Sequence, residues 1–254
     1  MKKMYISILV MLNAFSVMAM SGKAIVKKCD EIFRIRTCLS VSTMTITTSS
    51  GSKRTFLQWG MSMGNRSVTR FASGFVKGMT ILSVDDGDQI WVYFRSSGRT
   101  RRLASHAKNS SVAGSDFSYN DFSNTAYAEK YHCLLLAKEE SHYKVRLTPD
   151  SSGETRYSRL IVWIRKDNFI PERTVYYNEN GERFKEMRIT EVKVISGILT
   201  PVRVSMKSLH SGTETVVKTL KVRYLPRLQR SFFRSSGLSR SLELWKAVYP
   251  FFND

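Results

Sequence analysis

Two aspartates, Asp116 and Asp121, sit in the segment GSDFSYNDF, residues 114–122 of a 254-residue chain. Paired carboxylates can share the work of a general acid and a general base. Aspartates and serines in a turn-rich stretch also have a simpler use: they hydrogen-bond to nearby backbone amides and fix the chain locally. The structural use is the more economical reading, because the rest of the catalytic inventory is sparse. Four histidines occur, His106, His132, His142 and His210, and no pair of them has zinc-ligand spacing. The H-E-x-x-H and G-x-S-x-G patterns are absent. Gly114-Ser115-Asp116 has no strand–turn–helix setting to make it a nucleophile elbow. His132 and Cys133 are neighbours in a predicted strand, so their side chains point to opposite faces and cannot pair. The chain reads as a non-enzyme with no cofactor and no metal.

Three cysteines, Cys29, Cys38 and Cys133, leave one thiol over if two are joined. A bridge between Cys29 and Cys38 would tie a first helix to the strand after it. Three free buried thiols are the alternative.

The elements that must position these residues are mostly strands. Residues 22–36, GKAIVKKCDEIFRIR, form one amphipathic helix, with Ile25, Cys29, Ile32 and Phe33 on one face and Val26 beside them. The apolar period then switches to two. Residues 39–50 and 53–64 are strands, and 65–73 follows across Gly64-Asn65. Residues 79–94 form a hairpin with Asp86-Gly87 at its tip, and residues 99–103 continue its second strand past a Ser-Ser-Gly break. Residues 104–128 lack a period and form the longest loop, of the kind that serves as a lid or binding element. Strands resume at YHCLLLAKEE, HYKVRLTP and TRYSRLIVWIRK. Two more hairpins follow, turning at Asn180-Gly181 and near Gly212, and a short helix lies in SRSLELWKAVY. Successive antiparallel strands with few helices give a curved sheet, a barrel or a sandwich.

Three apolar stripes stand out. Leu57, Trp59, Met61 and Met63 share one face of their strand, Trp91 and Tyr93 form a second stripe, and Ile161 and Trp163 a third. Such stripes are usually core; around a hollow they would become a lining. Arg99, Arg101 and Arg102 form the densest basic cluster, with Arg99 and Arg101 on one strand face and Arg102 opposite. They suit lipid phosphates or a partner's carboxylates, or simply protect a sheet edge.

The first nineteen residues, MKKMYISILVMLNAFSVMA, combine Lys2 and Lys3, a short apolar run and small residues at Val17 and Ala19. This is the pattern of a cleaved secretory signal peptide, which leaves residues 20–254 as one exported domain. No cysteine stands at the cleavage site to take a lipid. The formal net charge is +19. In an exported protein that excess either confers solubility or points to lipid head groups, cell-wall polymers or acidic protein surfaces, and it points away from nucleic acid.

Several stretches together resemble a known family. WVYFRSSGRTRRL (91–103) is followed by GSDFSYNDF (114–122). Then come Tyr176-Tyr177, the Gly181-Glu182 turn with Lys185, a Gly-to-Pro strand at 197–201 and a threonine-rich strand carrying Thr213, Thr215 and Thr219. This order is similar to that of the outer-membrane lipoprotein-sorting proteins, the LolA-like periplasmic carriers. The resemblance implies a mainly β fold: a strongly curved antiparallel sheet of about eleven strands, an incomplete barrel. An N-terminal helix and short helices or loops cover its concave face. It implies a periplasmic carrier that takes the acyl chains of lipoproteins or other lipids, such as phospholipid, in an apolar hollow and moves them toward the outer membrane. It implies an inner-membrane transporter as donor, an outer-membrane acceptor, transient membrane contact and a monomer. On this reading the three apolar stripes are the candidate lipid-binding residues. Gly114, Ser115, Asp116, Phe117, Tyr119, Asp121 and Phe122 form a lid-like signature at the mouth of the sheet. The alternatives are an envelope structural or interaction protein with a filled core, and a lipid-active hydrolase built on Asp116, Asp121 and the histidines.

Overall fold

The computed structural model describes residues 20–33, 37–123, 126–150 and 157–253. The expected signal segment, residues 1–19, and residues 34–36 of the expected first helix lie outside them.

Among the described residues, thirteen strands form one antiparallel sheet that does not close into a barrel. A helix α1 (Gly22–Phe33) precedes them. The first six strands are β1 (Cys38–Thr47), β2 (Lys53–Met63), β3 (Arg66–Phe71), β4 (Thr80–Val84), β5 (Gln89–Phe94) and β6 (Arg99–Arg102). A crossing segment holds two 3-10 turns and the one-turn helix α2 (Tyr127–Lys130). Seven strands follow: β7 (Tyr131–Lys138), β8 (His142–Pro149), β9 (Arg159–Arg165), β10 (Pro171–Tyr177), β11 (Arg183–Ile195), β12 (Ile198–Ser208) and β13 (Glu214–Tyr224). The chain ends on α3 (Leu242–Val248) with 3-10 turns on either side.

The strand order explains the architecture. It runs β6-β5-β4-β3-β2-β1-β13-β12-β11-β10-β9-β8-β7. The first and last strands pair in the middle, so the chain meanders out to one edge at β6, crosses to the other edge at β7, and meanders back. Residues 103–130 therefore connect the two open edges of the sheet.

Register fixes two continuous faces. On the inner face, Val92, Ile81, Phe56 and Met44 from β5, β4, β2 and β1 continue into Val217, Val204, Met187 and Val162. The other face carries Trp59, Met61, Val68 and Leu82. α1 and the crossing segment cover the inner face, burying Ile25, Val26 and Cys29 against Val145, Leu147 and Val162. Gly22 permits this contact: a Cβ there would lie 2.6 Å from the Cys133 carbonyl oxygen and 2.7 Å from the Leu135 nitrogen.

One expectation is corrected. Residues 99–103 do not prolong β5. Gly98, at φ 63°, lets the chain reverse, and Arg99 returns opposite Phe94 as a strand of its own; the described residues form thirteen strands where about eleven were expected. The short helix expected in the tail packs on the other face. α3 and its flanking turns bury Phe232, Phe233, Trp245 and Phe252 on the outer face of β1–β4.

Candidate functional site

The crossing segment folds as a small strap. Ala113 and Gly114 have φ of 53° and 75°, and the Ser115 amide donates to the Val112 carbonyl across them. This is a tight turn with positive φ at both central residues, which Gly114 adopts without strain while Ala113 is held in the left-handed region that L-residues rarely visit. The Val112 amide donates to the Phe117 carbonyl and the Tyr119 amide to the Ser110 carbonyl, making a short hairpin.

The two aspartates fasten this hairpin to the sheet. Asp116 accepts the Thr215 hydroxyl at 2.7 Å and the Thr213 hydroxyl, while its amide donates to Thr215 Oγ1 at 3.0 Å. Asp121 Oδ2 accepts from the Ser118 amide at 2.7 Å and the Ser118 hydroxyl at 2.8 Å. The same oxygen lies 2.6 Å from Lys185 Nζ, with both side chains buried. The Lys185 ammonium also sits 5.0 Å from the Tyr157 ring and 4.9 Å from the Tyr176 ring. Asp116 thus holds the strap to β13 and Asp121 holds it to β11. Each carboxylate is occupied by donors, an arrangement suited to fixing backbone.

Beside the strap lies a cavity of about 900 Å³. Its wall is the inner face: Leu147 from β8, Leu160, Val162 and Ile164 from β9, Tyr176 from β10, Met187 and Ile189 from β11, and Val204 from β12. Val26 and Cys29 close it from α1, Phe117 from the strap and Ala128 from α2. Charged lining comes from α1 (Lys23, Lys27, Asp30, Glu31) and from Asp86, Asp121 and Glu129. Burial pushes the Tyr176 and Tyr127 hydroxyls well above their ordinary range, and neighbouring acidic groups add to it. The volume falls within the roughly 300–1,000 Å³ of small-molecule sites, and the mix of apolar wall and few polar groups is typical of them.

None of the eight residues singled out as candidate lipid contacts lines this cavity. Leu57, Trp59, Met61, Met63, Trp91 and Tyr93 lie on the outer face of their strands, where the tail covers them. Trp59 stacks on Phe252 with ring centres 4.9 Å apart. Ile161 and Trp163 alternate with the lining residues Leu160, Val162 and Ile164, so they point away from the cavity. The physical reason is parity. A strand's side chains alternate, and a stripe displaced by one residue lies on the opposite face. In the run RLIVWIR both faces are apolar, and only the register with β8 and β10 separates them.

The signature residues are brought together. Phe117 enters the cavity wall, Tyr119 packs with Met44, Phe56 and Ile81, and Phe122 contacts both clusters. Arg99, Arg101 and Arg102 lie exposed on the edge strand β6, away from the cavity. Cys29, Cys38 and Cys133 are free thiols in the structure, Cys29 buried and the other two half-buried. Burial pushes Cys29 and Cys38 up, and pushes Cys133 up to about 11. His132 is exposed while Cys133 turns toward the inner face, as strand alternation requires.

An open antiparallel sheet of this topology, with a strap and helix over one face, defines the class: a LolA-like fold. Three solved structures are similar to it. A DUF1329 family protein from Desulfovibrio piger is 25% identical with a TM-score of 0.77, covering 85% of this chain and 97% of its own. A putative outer membrane lipoprotein-sorting protein domain from Vibrio parahaemolyticus is 20% identical with a TM-score of 0.78, covering 86% and 98%. A LolA superfamily protein from Nitrosomonas europaea is 22% identical with a TM-score of 0.71, covering 85% and 98%. Residues 64–240 match a family profile described as "Uncharacterized protein", and the chain belongs to that family. No curated protein matches the chain.

Proposed function

We propose that this protein is a non-catalytic periplasmic carrier of acyl chains. The observation that carries the reading is the 900 Å³ cavity between α1, the strap and the apolar inner face. Burying an acyl chain contributes about 0.8 kcal/mol per CH₂ and needs no reactive group. The two carboxylates that invited a catalytic reading are engaged in holding the strap. Likeness in fold to a putative lipoprotein-sorting domain and to a LolA superfamily protein supports the same role.

On this reading residues 1–19 are an export signal and residues 20–254 act as one domain. The cargo is the acyl part of a lipoprotein or phospholipid, received from an inner-membrane donor and delivered to an outer-membrane acceptor. Native mass spectrometry of the mature protein, purified from the periplasm in which it is made, tests the proposal. Co-purified lipid or lipopeptide supports it. Repeated recovery of empty protein that also fails to take up a fluorescent fatty acid overturns it.

A further inference from the structure

We infer that the outer face at the β7 edge is a docking surface for anionic phospholipid bilayers. The sheet has two open edges, and they differ in chemistry. The β6 edge presents Arg99, Arg101 and Arg102. The β7 edge presents two leucines, Leu134 at 40% and Leu136 at 42% exposure. Two exposed leucines on one edge strand are costly in water unless something covers them, and a bare apolar edge invites association.

The neighbouring side chains say what the cover is. Leu134 stands opposite the exposed Arg146, and Ala137 opposite Lys144. Lys144 opposes Trp163, and Trp163 opposes Arg173. The Lys144 ammonium lies 5.1 Å from the Trp163 ring and the Arg173 guanidinium 4.6 Å from it. One continuous face therefore carries leucines at the rim, with Arg146, Lys144 and the Trp163 ring behind them; farther in, Arg173 pairs with Glu186 at 2.8 Å and the Trp163 indole donates to Glu139 at 3.3 Å. Leucine with cations matches the boundary of a membrane, where apolar side chains enter the acyl region and cations meet phosphates. A strongly basic chain, net +19, adds long-range attraction to the same surface. An acidic protein would answer the cations but gives no specific use for the leucine pair.

The surface lies on the opposite side of β8 and β9 from the cavity wall, so docking does not depend on the carrier reading. It would place those strands against the bilayer. The test is co-sedimentation with two kinds of vesicle, phosphatidylcholine alone and phosphatidylcholine mixed equally with phosphatidylglycerol. Binding to the mixed vesicles only, weakened by salt, is expected. Leu134→Ser with Leu136→Ser should lower it at least tenfold. Lys144→Gln with Arg146→Gln should lower it by roughly fivefold per cation, from about 1 kcal/mol each. All four side chains lie on the surface, and an unchanged melting temperature checks that the variants remain folded. A cavity-filling Val162→Trp variant should bind vesicles normally while losing fatty-acid uptake, which separates this inference from the carrier role. Equal binding to both vesicle types overturns the proposal. So does loss of binding on neutralising Arg99, Arg101 and Arg102 alone. Binding to soluble polyglutamate that matches vesicle binding and ignores the leucine substitutions would assign the face to an acidic protein instead.

Discussion

Asp121 Oδ2 lies 2.6 Å from Lys185 Nζ, and this buried ion pair joins the strap between the sheet edges to the start of β11. Lys185 is partnered by two tyrosine rings, and Asp121 by the Ser118 amide and hydroxyl. Removing one charge leaves the other buried without its counterion, which costs about 3–5 kcal/mol. Lys185→Met and Asp121→Asn should each destabilise the protein on that scale. The double variant should lose less than the sum by about 0.5–3 kcal/mol, as contacting residues do. Urea unfolding of the four proteins measures the coupling, and strict additivity would show that the strap does not depend on the pair.

The tail packs on the outer face and the cavity opens on the inner one, so the two should respond separately. Arg70 Nη1 donates to the Leu238 carbonyl at 3.1 Å and the Thr80 hydroxyl at 2.9 Å, with the Trp245 ring 5.6 Å away. Trp245→Ala should cost about 3–5 kcal/mol, seen as a lower melting temperature. Its affinity for a fluorescent fatty acid, measured on the folded protein, should stay within about threefold of wild type, or roughly 0.7 kcal/mol.

Filling the cavity should have the opposite signature. Val162→Trp or Val204→Trp places bulk in the apolar wall between β9 and β12. Overpacking a filled core costs about 1–3 kcal/mol, whereas an open cavity accepts the ring with less penalty. Fatty-acid uptake should fall at least about tenfold, which is 1.4 kcal/mol. Stability lost without any change in uptake would place the ligand elsewhere.

Alkali should loosen the fold through its buried thiols and phenols. Burial raises Cys133 to about 11 and holds Cys29, Cys38, Tyr127 and Tyr176 above their ordinary values. The folded protein keeps protons that the unfolded chain releases, so stability falls as pH rises above about 8.5, the value for an unfolded thiol. For Cys133 the fall continues until the folded thiol itself ionises near 11. The melting temperature should be flat from neutral pH to about 8 and decline above it. Alkylation of all three cysteines by iodoacetamide at neutral pH should be slow in the native protein and fast in urea, because the thiolate is the nucleophile.

Close packing of α1 on β7 gives a further check. A Cβ at Gly22 would meet the Cys133 carbonyl oxygen at 2.6 Å. Gly22→Val should push α1 off β7 and widen the cavity mouth, at a cost of about 1–3 kcal/mol. Hydrogen exchange should rise in α1 and β7 and stay unchanged in β2 and β3. A uniform rise across the sheet would mean that α1 is part of the global unfolding unit.

Local chemistry made much of this fold legible. The switch from a helical period in residues 22–36 to strand alternation marked the class, and turn residues at Gly64, Gly181 and Gly212 marked the hairpins. The segment GSDFSYNDF stood out by composition as a functional loop, and Phe117, Tyr119 and Phe122 do pack against the sheet. Those features depend on residues close together in sequence. The rest depends on long-range pairing. That Asp116 reaches Thr215 and Asp121 reaches Lys185 follows from where the strap crosses the sheet, and no local pattern encodes that crossing. The face that lines the cavity was equally hidden. Trp59 and Met61 alternate as cleanly as Leu160 and Val162 do, and both sets are buried. Burial by the tail and burial around a hollow give the same sequence pattern. Only the tertiary structure, by laying α3 on one face and α1 with the strap on the other, decided which stripe is solid core and which surrounds a space.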